Sequence, residues 1–347
     1  MTFNSNLLHY FLEDALRGYS EDFQVLDTSN PVRFELNGRK YSANISYIHD
    51  SGENRPDDNE ARIQITANRR ETQRRYQAQG YIVCFLGFYE GAKGEVFAGW
   101  EPDDVFATSA TNRTHYGQKS HQDIAKSRGA AIDTRHSKNI NRLTTTISLP
   151  SHALGVYLEN LELFHQIEDA EELRSFFCDL PEITEKLVPA SKPKEIEYTF
   201  TQKGKREKKD IILNRKGYVR DANFSKQVMQ AYNGACAVCQ KQLGIVQAAH
   251  IVPHHHDDCV ETVNNGIALC VEHHALYDSA LLLPYIDRKL YLNENRVQFL
   301  TQIGRTQGLD EVRKRAENEY TIPSDNKLWP QKEFLELGLN IRLGKGG

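Results

Sequence analysis

Two short pairs of cysteine and histidine residues constrain the fold of this chain more than any other feature of its sequence. Cys236 and Cys239 are separated by two residues, and Cys270 and His273 repeat that gap further along the chain. Such a gap lets both side chains of one tight turn reach the same tetrahedral zinc ion, and two such pairs fill its four positions. Four protein ligands leave no position open for water, so the sequence predicts a structural zinc site.

The length and the cysteine usage indicate a globular protein of two domains in a reducing compartment. At 347 residues the chain exceeds one typical domain and can bury a sizeable core. No apolar run approaches the ~20 residues of a membrane span, and the segment 1–10 lacks the basic head and apolar stretch of a signal peptide. Six cysteines are too few for a disulfide scaffold of this length. We therefore expect a cytoplasmic protein without a membrane segment.

Three further residues lie among the predicted zinc ligands although zinc does not need them: His250, Asn265 and His274. They belong to a succession of short motifs, which are C-A-V-C at 236–239, A-A-H-I-V-P at 248–253, N-N-G-I-A-L-C at 264–270 and E-H-H-A-L-Y-D at 272–278. In this order the motifs resemble the HNH endonuclease family, in the zinc-stapled ββα-metal form found in bacterial restriction enzymes. The resemblance covers about 220–300, under a third of the chain, and its motifs are specific in combination.

The resemblance implies a role for each of these three residues. His250, at the end of a strand, matches the general base that activates a water molecule, and imidazole suits this task because it exchanges protons near neutral pH. Asn265 matches the residue that fixes the connecting loop by hydrogen bonds and so orients the base. His274, on a helix that begins near Cys270, matches a ligand of a catalytic magnesium or manganese ion at the scissile phosphate.

One position departs from the commonest family pattern. Ala249 stands where many members carry an aspartate that is a second metal ligand, so the sequence leaves open how the catalytic metal is held. Asp278 lies one turn after His274 on the same helical face and can supply the missing carboxylate. Alternatively, it caps the helix or pairs locally. The sequence also leaves open the role of three consecutive loop histidines, His254, His255 and His256.

Residues 1–190 have the alternating and helical patterns of an α+β domain, and they match no family motif that we recognise. A hairpin is predicted around Asn37-Gly38, because this dipeptide suits the positive φ angles of a tight turn. A group of arginines further on has two interpretations, which are a DNA-facing surface and a solvated helix face. These candidate DNA contacts are Arg69, Arg70, Arg74 and Arg75.

Residues 191–219 concentrate positive charge between the two predicted domains. The stretch 192–220 holds ten basic and four acidic residues, although the net charge of the whole chain is −4. Local positive charge governs contact with phosphates, so a phosphate-binding role competes with that of a solvated tether. In both cases the proline, glycine and charge predict a mobile linker. The candidate phosphate contacts are Lys205, Arg206 and Arg220.

Residues 220–347 are expected to form the nuclease domain and a C-terminal arm. The segment 220–232 is predicted to be a helix with Phe224, Val228 and Tyr232 on one face. After the motifs, residues 288–300 are predicted to be two strands around an Asn-Glu-Asn turn.

Together these patterns predict an α+β fold, with an N-terminal mixed α/β recognition domain and a C-terminal ββα-metal HNH nuclease domain that holds a structural zinc. The resemblance implies a metal-dependent DNA endonuclease, a phosphodiester hydrolase of the restriction or anti-phage defence type that acts on double-stranded DNA. The N-terminal domain would then select a DNA sequence, recognise a modified base, or sense a ligand or partner that triggers the nuclease. Because one site per chain has to cut two strands, we expect a homodimer.

A non-catalytic zinc module that only binds DNA is the alternative to an enzyme. Such a module explains the four predicted zinc ligands. It gives no reason for His250, Asn265 and His274 to occupy the other motif positions. The sequence therefore favours the nuclease.

Overall fold

The computed structural model divides the chain into two compact units. The first unit comprises Met1–Phe23 and Thr28–Tyr218, and the second comprises Gln24–Asp27 and Val219–Gly347. The described residues are 4–20, 22–50, 60–91, 94–107, 112–185, 194–202, 205–213, 222–254, 256 and 258–344. Among them, no helix combines the length and the apolar character needed to cross a bilayer.

The elements up to residue 213 alternate between strands and helices. The strands are β1 Phe23–Asp27, β2 Val32–Leu36, β3 Arg39–Tyr47, β4 His49–Asp50, β5 Glu60–Thr66, β6 Ile82–Gly91, β7 Gly94–Trp100, β8 Asn112–Gln118, β9 Ala131–Ser137, β10 Arg142–Pro150, β11 Lys194–Gln202 and β12 Lys205–Leu213. The helices are α1 His9–Arg17, α2 Ala67–Ala78, α3 Pro102–Phe106, α4 Lys119–Arg128, α5 Leu154–Glu159, α6 Leu161–Gln166 and α7 Ala170–Glu185.

A sheet with the strand order β2-β3-β6-β7-β10-β9 forms the centre of the first unit. β3 and β6 run parallel, and the chain between them is long enough for the crossover connection that parallel strands need. β6 and β7 form an antiparallel pair. A smaller sheet has the order β4-β5-β8. The side chains of Phe34, Phe85, Phe88 and Phe97 are fully buried. The predicted mixed α/β architecture of this half is confirmed.

The predicted Asn37-Gly38 turn connects β2 and β3. Asn37 has φ of 51° and Gly38 has φ of 76°, and Leu36 pairs with Arg39 across the turn. Positive φ at both central positions matches the right-handed twist of the flanking strands. The local sequence therefore sets the register of this pair.

The segment predicted as a mobile linker is instead a β-hairpin that belongs to the first unit. β11 and β12 pair along their whole length, from Lys194–Leu213 to Gln202–Lys205. Phe200 is fully buried and lies 6.1 Å from Phe176 of α7, measured between ring centroids. The alternation of apolar and charged residues buries one face of the hairpin, whereas the charge of the other face had suggested a solvated tether.

The second unit is a compact α+β assembly around one apolar cluster. Its elements are α8 Ala222–Ala231, β13 Val246–His250, β14 Gly266–Cys270, α9 Val271–Asp278, β15 Leu282–Pro284, β16 Leu290–Leu292, α10 Glu294–Gln302, α11 Leu309–Ala316 and α12 Lys332–Arg342. β13 and β14 form an antiparallel pair, and α9 follows β14 directly. As predicted, Phe224, Val228 and Tyr232 of the α8 region point into the cluster. The strand–strand–helix order is that of the expected ββα unit.

The prediction of two strands around an Asn-Glu-Asn turn is wrong at its second strand. β16 ends at Leu292, and α10 begins directly after Asn293. The Asn293 side-chain oxygen accepts hydrogen bonds from the backbone N–H groups of Asn295 and Arg296, at 3.2 and 3.3 Å. Asparagine is a strong helix N-cap as well as a turn residue, and here its capping role decides the structure.

Candidate active site and metal centre

The four predicted zinc ligands converge in the second unit. The ligand atoms of Cys236, Cys239, Cys270 and His273 all lie within 4.8 Å of one another. The sulfurs of Cys239 and Cys270 are 3.8 Å apart, and Nδ1 of His273 is 3.7 Å from the sulfur of Cys236. A tetrahedral zinc ion with Zn–S bonds of about 2.3 Å places two sulfurs about 3.8 Å apart. The residues therefore fit a closed zinc site.

Local structure explains how the four ligands meet. Cys236 and Cys239 lie in a tight turn, in which the N–H of Cys236 donates to the carbonyl of Lys241 at 2.9 Å. Cys270 is the last residue of β14, and His273 lies in the first turn of α9. A bound zinc ion would therefore join the turn after α8 to the junction between strand and helix.

The thiols of the turn differ in their readiness to ionise. Burial opposes ionisation of Cys236, but hydrogen bonds from His273 and from backbone groups outweigh it, and the pKa of this thiol falls to about 6. Burial raises the pKa of Cys239 to about 12. Zinc binds thiolates, and its positive charge favours their ionised form. The hydrogen bonds from His273 and the backbone thus favour a thiolate in this turn, which is the form that zinc binds.

His250 lies at the end of β13, opposite Gly266 of β14. Its ring stacks on that of Phe224, with centroids 4.0 Å apart and planes 6° apart. A Cβ atom at Gly266 would lie 2.4 Å from a methyl carbon of Val228, so a larger residue there would disturb the helix that carries Phe224. The packing of α8 against this strand pair therefore fixes the plane of the His250 ring.

Asn265 is fully buried and ties together the loop that follows His250. Its Oδ1 accepts a hydrogen bond from the N–H of Val252 at 2.8 Å, and its Nδ2 donates to the carbonyl of Val260 at 3.0 Å. The N–H of Ile251 donates to the backbone carbonyl of Asn265 at 2.9 Å. One side chain thus holds the start and the end of the loop.

His274 and Asp278 lie one turn apart on α9. Nε2 of His274 is 3.6 Å from Oδ2 of Asp278, and Nδ1 is 3.2 Å from Oε1 of Gln247 on β13. Successive helical residues diverge by about 100°, so His273 reaches the zinc site while His274 points away from it. Magnesium binds through one or two protein ligands and keeps several waters, so the imidazole–carboxylate pair fits a hydrated divalent cation.

A carboxylate that no motif had indicated lies beside His250. Glu261 Oε2 is 3.1 Å from Nε2 of His250, and its Oε1 is 3.1 Å from Nε2 of His254. The sulfur of Cys259, one ring nitrogen of His250 and one carboxylate oxygen of Glu261 all lie within 4.8 Å of one another. Sequence reasoning missed Glu261 because it lies in a loop with no fixed spacing to the motif.

Two of the three loop histidines, His254 and His256, lie within the described residues. His254 contacts Glu261, whereas Nδ1 of His256 is 3.7 Å from Oδ2 of Asp258. His255 lies outside the described residues. The described pair therefore have different acidic neighbours.

The C-terminal helix supports the backbone at His250. Arg342 of α12 donates to the carbonyl of Ile251 at 2.7 Å and to that of His250 at 3.2 Å. Its guanidinium lies 3.8 Å from the centre of the Tyr277 ring, and the Tyr277 hydroxyl donates to the carbonyl of Ile251 at 3.0 Å. A Cβ atom at Gly338 would lie 2.3 Å from that carbonyl oxygen, so glycine permits the close approach of α12.

The arginines of α2 do not share one surface. Arg70 is 3% exposed and donates to the carbonyl of Ile65 at 2.9 Å, so its assignment as a DNA contact is wrong. Arg74 and Arg75 are exposed, and Arg69 is half-buried. Lys205 and Arg206 are exposed on β12, and Arg220 lies outside the described residues.

Two segments of the chain match models of protein families. Residues 236–283 match the HNH endonuclease family, and residues 39–158 match the family described as methylase-associated X1. No curated protein matches the chain in sequence. One solved structure, described as a modification dependent TagI restriction endonuclease, is 14% identical over 86% of this chain and 80% of that one, with a TM-score of 0.24. A TM-score of this size does not establish a common fold.

The HNH match begins at the first zinc ligand and extends beyond α9. It therefore contains the cysteine–histidine cluster together with His250, Asn265 and His274. The resemblance deduced from the motifs is confirmed, and so is the enzyme class that it implies. Residues 236–283 are an HNH endonuclease domain, and the chain that contains it is a nuclease.

Proposed function

We propose that this nuclease is a metal-dependent DNA endonuclease of the restriction or anti-phage defence type, which acts on double-stranded DNA in the cytoplasm. The observation that supports the proposal most strongly is the arrangement around the zinc cluster. The cluster accounts for Cys236, Cys239, Cys270 and His273, whereas His250 and His274 point elsewhere and have carboxylates beside them. A module that only binds DNA needs no such side chains.

In the proposed reaction, His250 removes a proton from the attacking water. Asn265 holds the loop after β13, and Phe224 holds the plane of the His250 ring. His274 and Asp278 would hold the magnesium or manganese ion, which stabilises the negative charge that develops on the leaving oxygen. The zinc cluster has a structural role only. The products would carry 5′-phosphate ends, as in the family.

The first unit is proposed to decide which DNA is cut. A family described as methylase-associated supports a connection with DNA methylation, as in a restriction enzyme that works beside a methylase or recognises a methylated base. The candidate DNA contacts that remain are Arg69, Arg74 and Arg75 on α2, Lys205 and Arg206 on β12, and Arg220. A unit that senses a ligand or partner and then triggers the nuclease is the other candidate.

Cleavage of plasmid DNA tests the proposal. The purified protein with magnesium or manganese is expected to nick or linearise the plasmid, and EDTA should stop the reaction. Digestion of unmodified and cytosine-modified DNA side by side distinguishes a sequence-specific enzyme from a modification-dependent one. Activity that appears only after addition of a cell or phage extract would favour the triggered nuclease. Sedimentation with and without a DNA duplex would test whether two chains act together.

A further inference from the structure

The contacts of Glu261 determine which nitrogen of His250 carries hydrogen. Both oxygens of the carboxylate lie close to Nε2 of His250, at 3.1 and 3.2 Å, and one of them is 3.1 Å from Nε2 of His254. An ionised carboxylate accepts hydrogen bonds and donates none. Each Nε2 must therefore carry the hydrogen of its bond. In a neutral imidazole the lone pair then lies on the other nitrogen, which is Nδ1 of His250.

Stacking on Phe224 alone does not choose between the two orientations of the ring. A half-turn about the Cβ–Cγ bond of His250 leaves its ring in the same plane, and so the stacking distance of 4.0 Å would hardly change. The same half-turn exchanges Nε2 with a carbon atom and removes the bond to Glu261. The aromatic contact thus sets the plane, and the carboxylate sets the orientation within it.

Glu261 is itself held in place. His254 donates to the same carboxylate, and its ring meets the His250 ring edge-on, with centroids 5.4 Å apart and planes 82° apart. The side chain of Glu261 is 34% exposed, so water can solvate part of its charge. Cys259 adds no second negative charge at neutral pH, because burial raises the pKa of its thiol to about 11. Arg342 donates to the backbone carbonyl of His250.

We propose that Glu261 is the positioning residue of the general base, and that it makes Nδ1 of His250 the atom that receives the proton of the attacking water. The inference rests on the function proposed above. In the step, the water O–H bond breaks, its proton moves to Nδ1, and the oxygen forms a bond to phosphorus. The bond from phosphorus to the 3′-oxygen breaks, and this oxygen leaves with the electron pair and takes a proton from solvent. The imidazolium that forms lies against the carboxylate, which stabilises it.

The conservative variant Glu261→Gln tests this role. It keeps the size of the side chain, removes the charge and leaves one acceptor oxygen for the N–H groups of two imidazoles. We expect the cleavage rate to fall by about 100-fold, because two carboxylate oxygens no longer hold the orientation of His250. The acid side of the pH–rate profile should also move to lower pH, because the imidazolium has lost the anion that favoured it. The matched control is Asp258→Asn, which removes one charge from the same loop but contacts His256. It should keep the rate and the pH profile of the unaltered protein, and both variants should keep their zinc.

Three outcomes would overturn the inference. The first is a Glu261→Gln variant with an unaltered rate, and the second is a lowered rate without a shifted profile, which indicates a purely structural role. The third is a changed requirement for magnesium or manganese without that shift, which would make Glu261 a metal ligand. Failure of the proposed function is distinct from all three, because the unaltered protein would then cleave no DNA or His250→Ala would cleave normally.

A measurement on the unaltered protein keeps the inference testable if the variant does not fold. Nuclear magnetic resonance of protein with ¹⁵N-labelled histidine reports which ring nitrogen carries hydrogen, and the spectrum of His250→Ala assigns the signal. The expected form of His250 at neutral pH has hydrogen on Nε2. Hydrogen on Nδ1 would contradict the proposal.

Discussion

The two units of this chain are stabilised in different ways. The first is built on a large sheet that carries fully buried aromatic side chains such as Phe85, Phe88 and Phe97. The second has short strands, and its cysteine–histidine cluster joins a turn to a strand–helix junction. A large apolar core spreads its stability over many side chains, whereas a metal centre concentrates it in four. Four metal-ligating residues form a recognisable sequence motif, so the function of the second unit is easy to deduce from the sequence. A dispersed apolar core forms no such motif, and the function of the first unit is hard to deduce.

Loss of a zinc ligand should have the largest effect and should be confined to the second unit. Cys270→Ser removes one of four ligands, and structural zinc in small domains contributes an apparent ~10 kcal/mol or more to folding. We expect loss of bound zinc, measured by atomic absorption, and unfolding reported by the fluorescence of Trp329. Trp100 is the corresponding probe of the first unit, so each probe is recorded in a variant that carries phenylalanine at the other position.

The matched control for that experiment is Cys178→Ser, which changes an exposed cysteine of the first unit. It should leave the zinc content and both fluorescence transitions unaltered. Retention of stoichiometric zinc by Cys270→Ser would refute the closed site of four ligands.

Substitution of the proposed base should separate chemistry from stability within the second unit. His250→Ala removes the proton acceptor, and we expect the cleavage rate to fall by about 10² to 10⁴-fold. The zinc content should not change, because His250 is not a ligand of the cluster. Undiminished cleavage by this variant, measured on plasmid DNA, would remove the proposed mechanism.

Acid should weaken the first unit through one buried histidine. Burial lowers the pKa of His165 to about 3, and its Nε2 is 2.8 Å from the Tyr157 hydroxyl. The folded pKa lies below the unfolded value of about 6.5, so the stabilising effect is complete above pH 6.5 and is lost as the pH falls towards 3. The expected slope is about 1.4 kcal/mol per pH unit in this window, measured by urea unfolding with Trp100 as the probe.

His165→Gln should remove this slope, whereas His136→Gln, which changes an exposed histidine of the same unit, should preserve it. An unchanged slope in His165→Gln would assign the acid sensitivity to other groups.

The smallest effect is expected at the proposed catalytic metal. Asp278→Asn keeps the size of the side chain but weakens its affinity for a hard cation, so about 10-fold more manganese or magnesium should be needed for half-maximal cleavage. Glu272→Gln is the matched control on the same helix, because Glu272 pairs with Lys241. An unchanged metal requirement in Asp278→Asn would indicate that this carboxylate pairs only with His274.

The cysteine–histidine cluster could be predicted because its four residues occur in pairs that are close in sequence. Two residues between ligands impose one geometry, whatever the rest of the chain does. Glu261 could not be predicted in this way, since eleven positions separate it from His250 and the loop between them decides whether they meet. A short spacing fixes the relative position of two side chains, whereas a long loop does not.

Two other sequence predictions differ from the structure because the residues concerned have more than one structural use. The charges of β12 had suggested a tether, but Ile211 and Leu213 at the end of that strand and Phe200 of β11 are buried on the inner face of a hairpin. Arg70 was grouped with the neighbouring arginines by residue type, although its position on α2, three residues before buried Gln73, places it on the side that faces the sheet. In both cases the spacing of the buried residues indicates the structure better than the charge of their neighbours does.

The contact between Arg342 and the carbonyl of His250 joins residues that are 92 positions apart. The cysteine pairs and the HNH motifs all precede α12 in the chain. A fragment that ends before this helix would therefore keep every recognisable signature but would lose the donors that support the backbone at the end of β13. Transplantation of the signature region alone into another protein should be expected to transfer metal binding more readily than DNA cleavage.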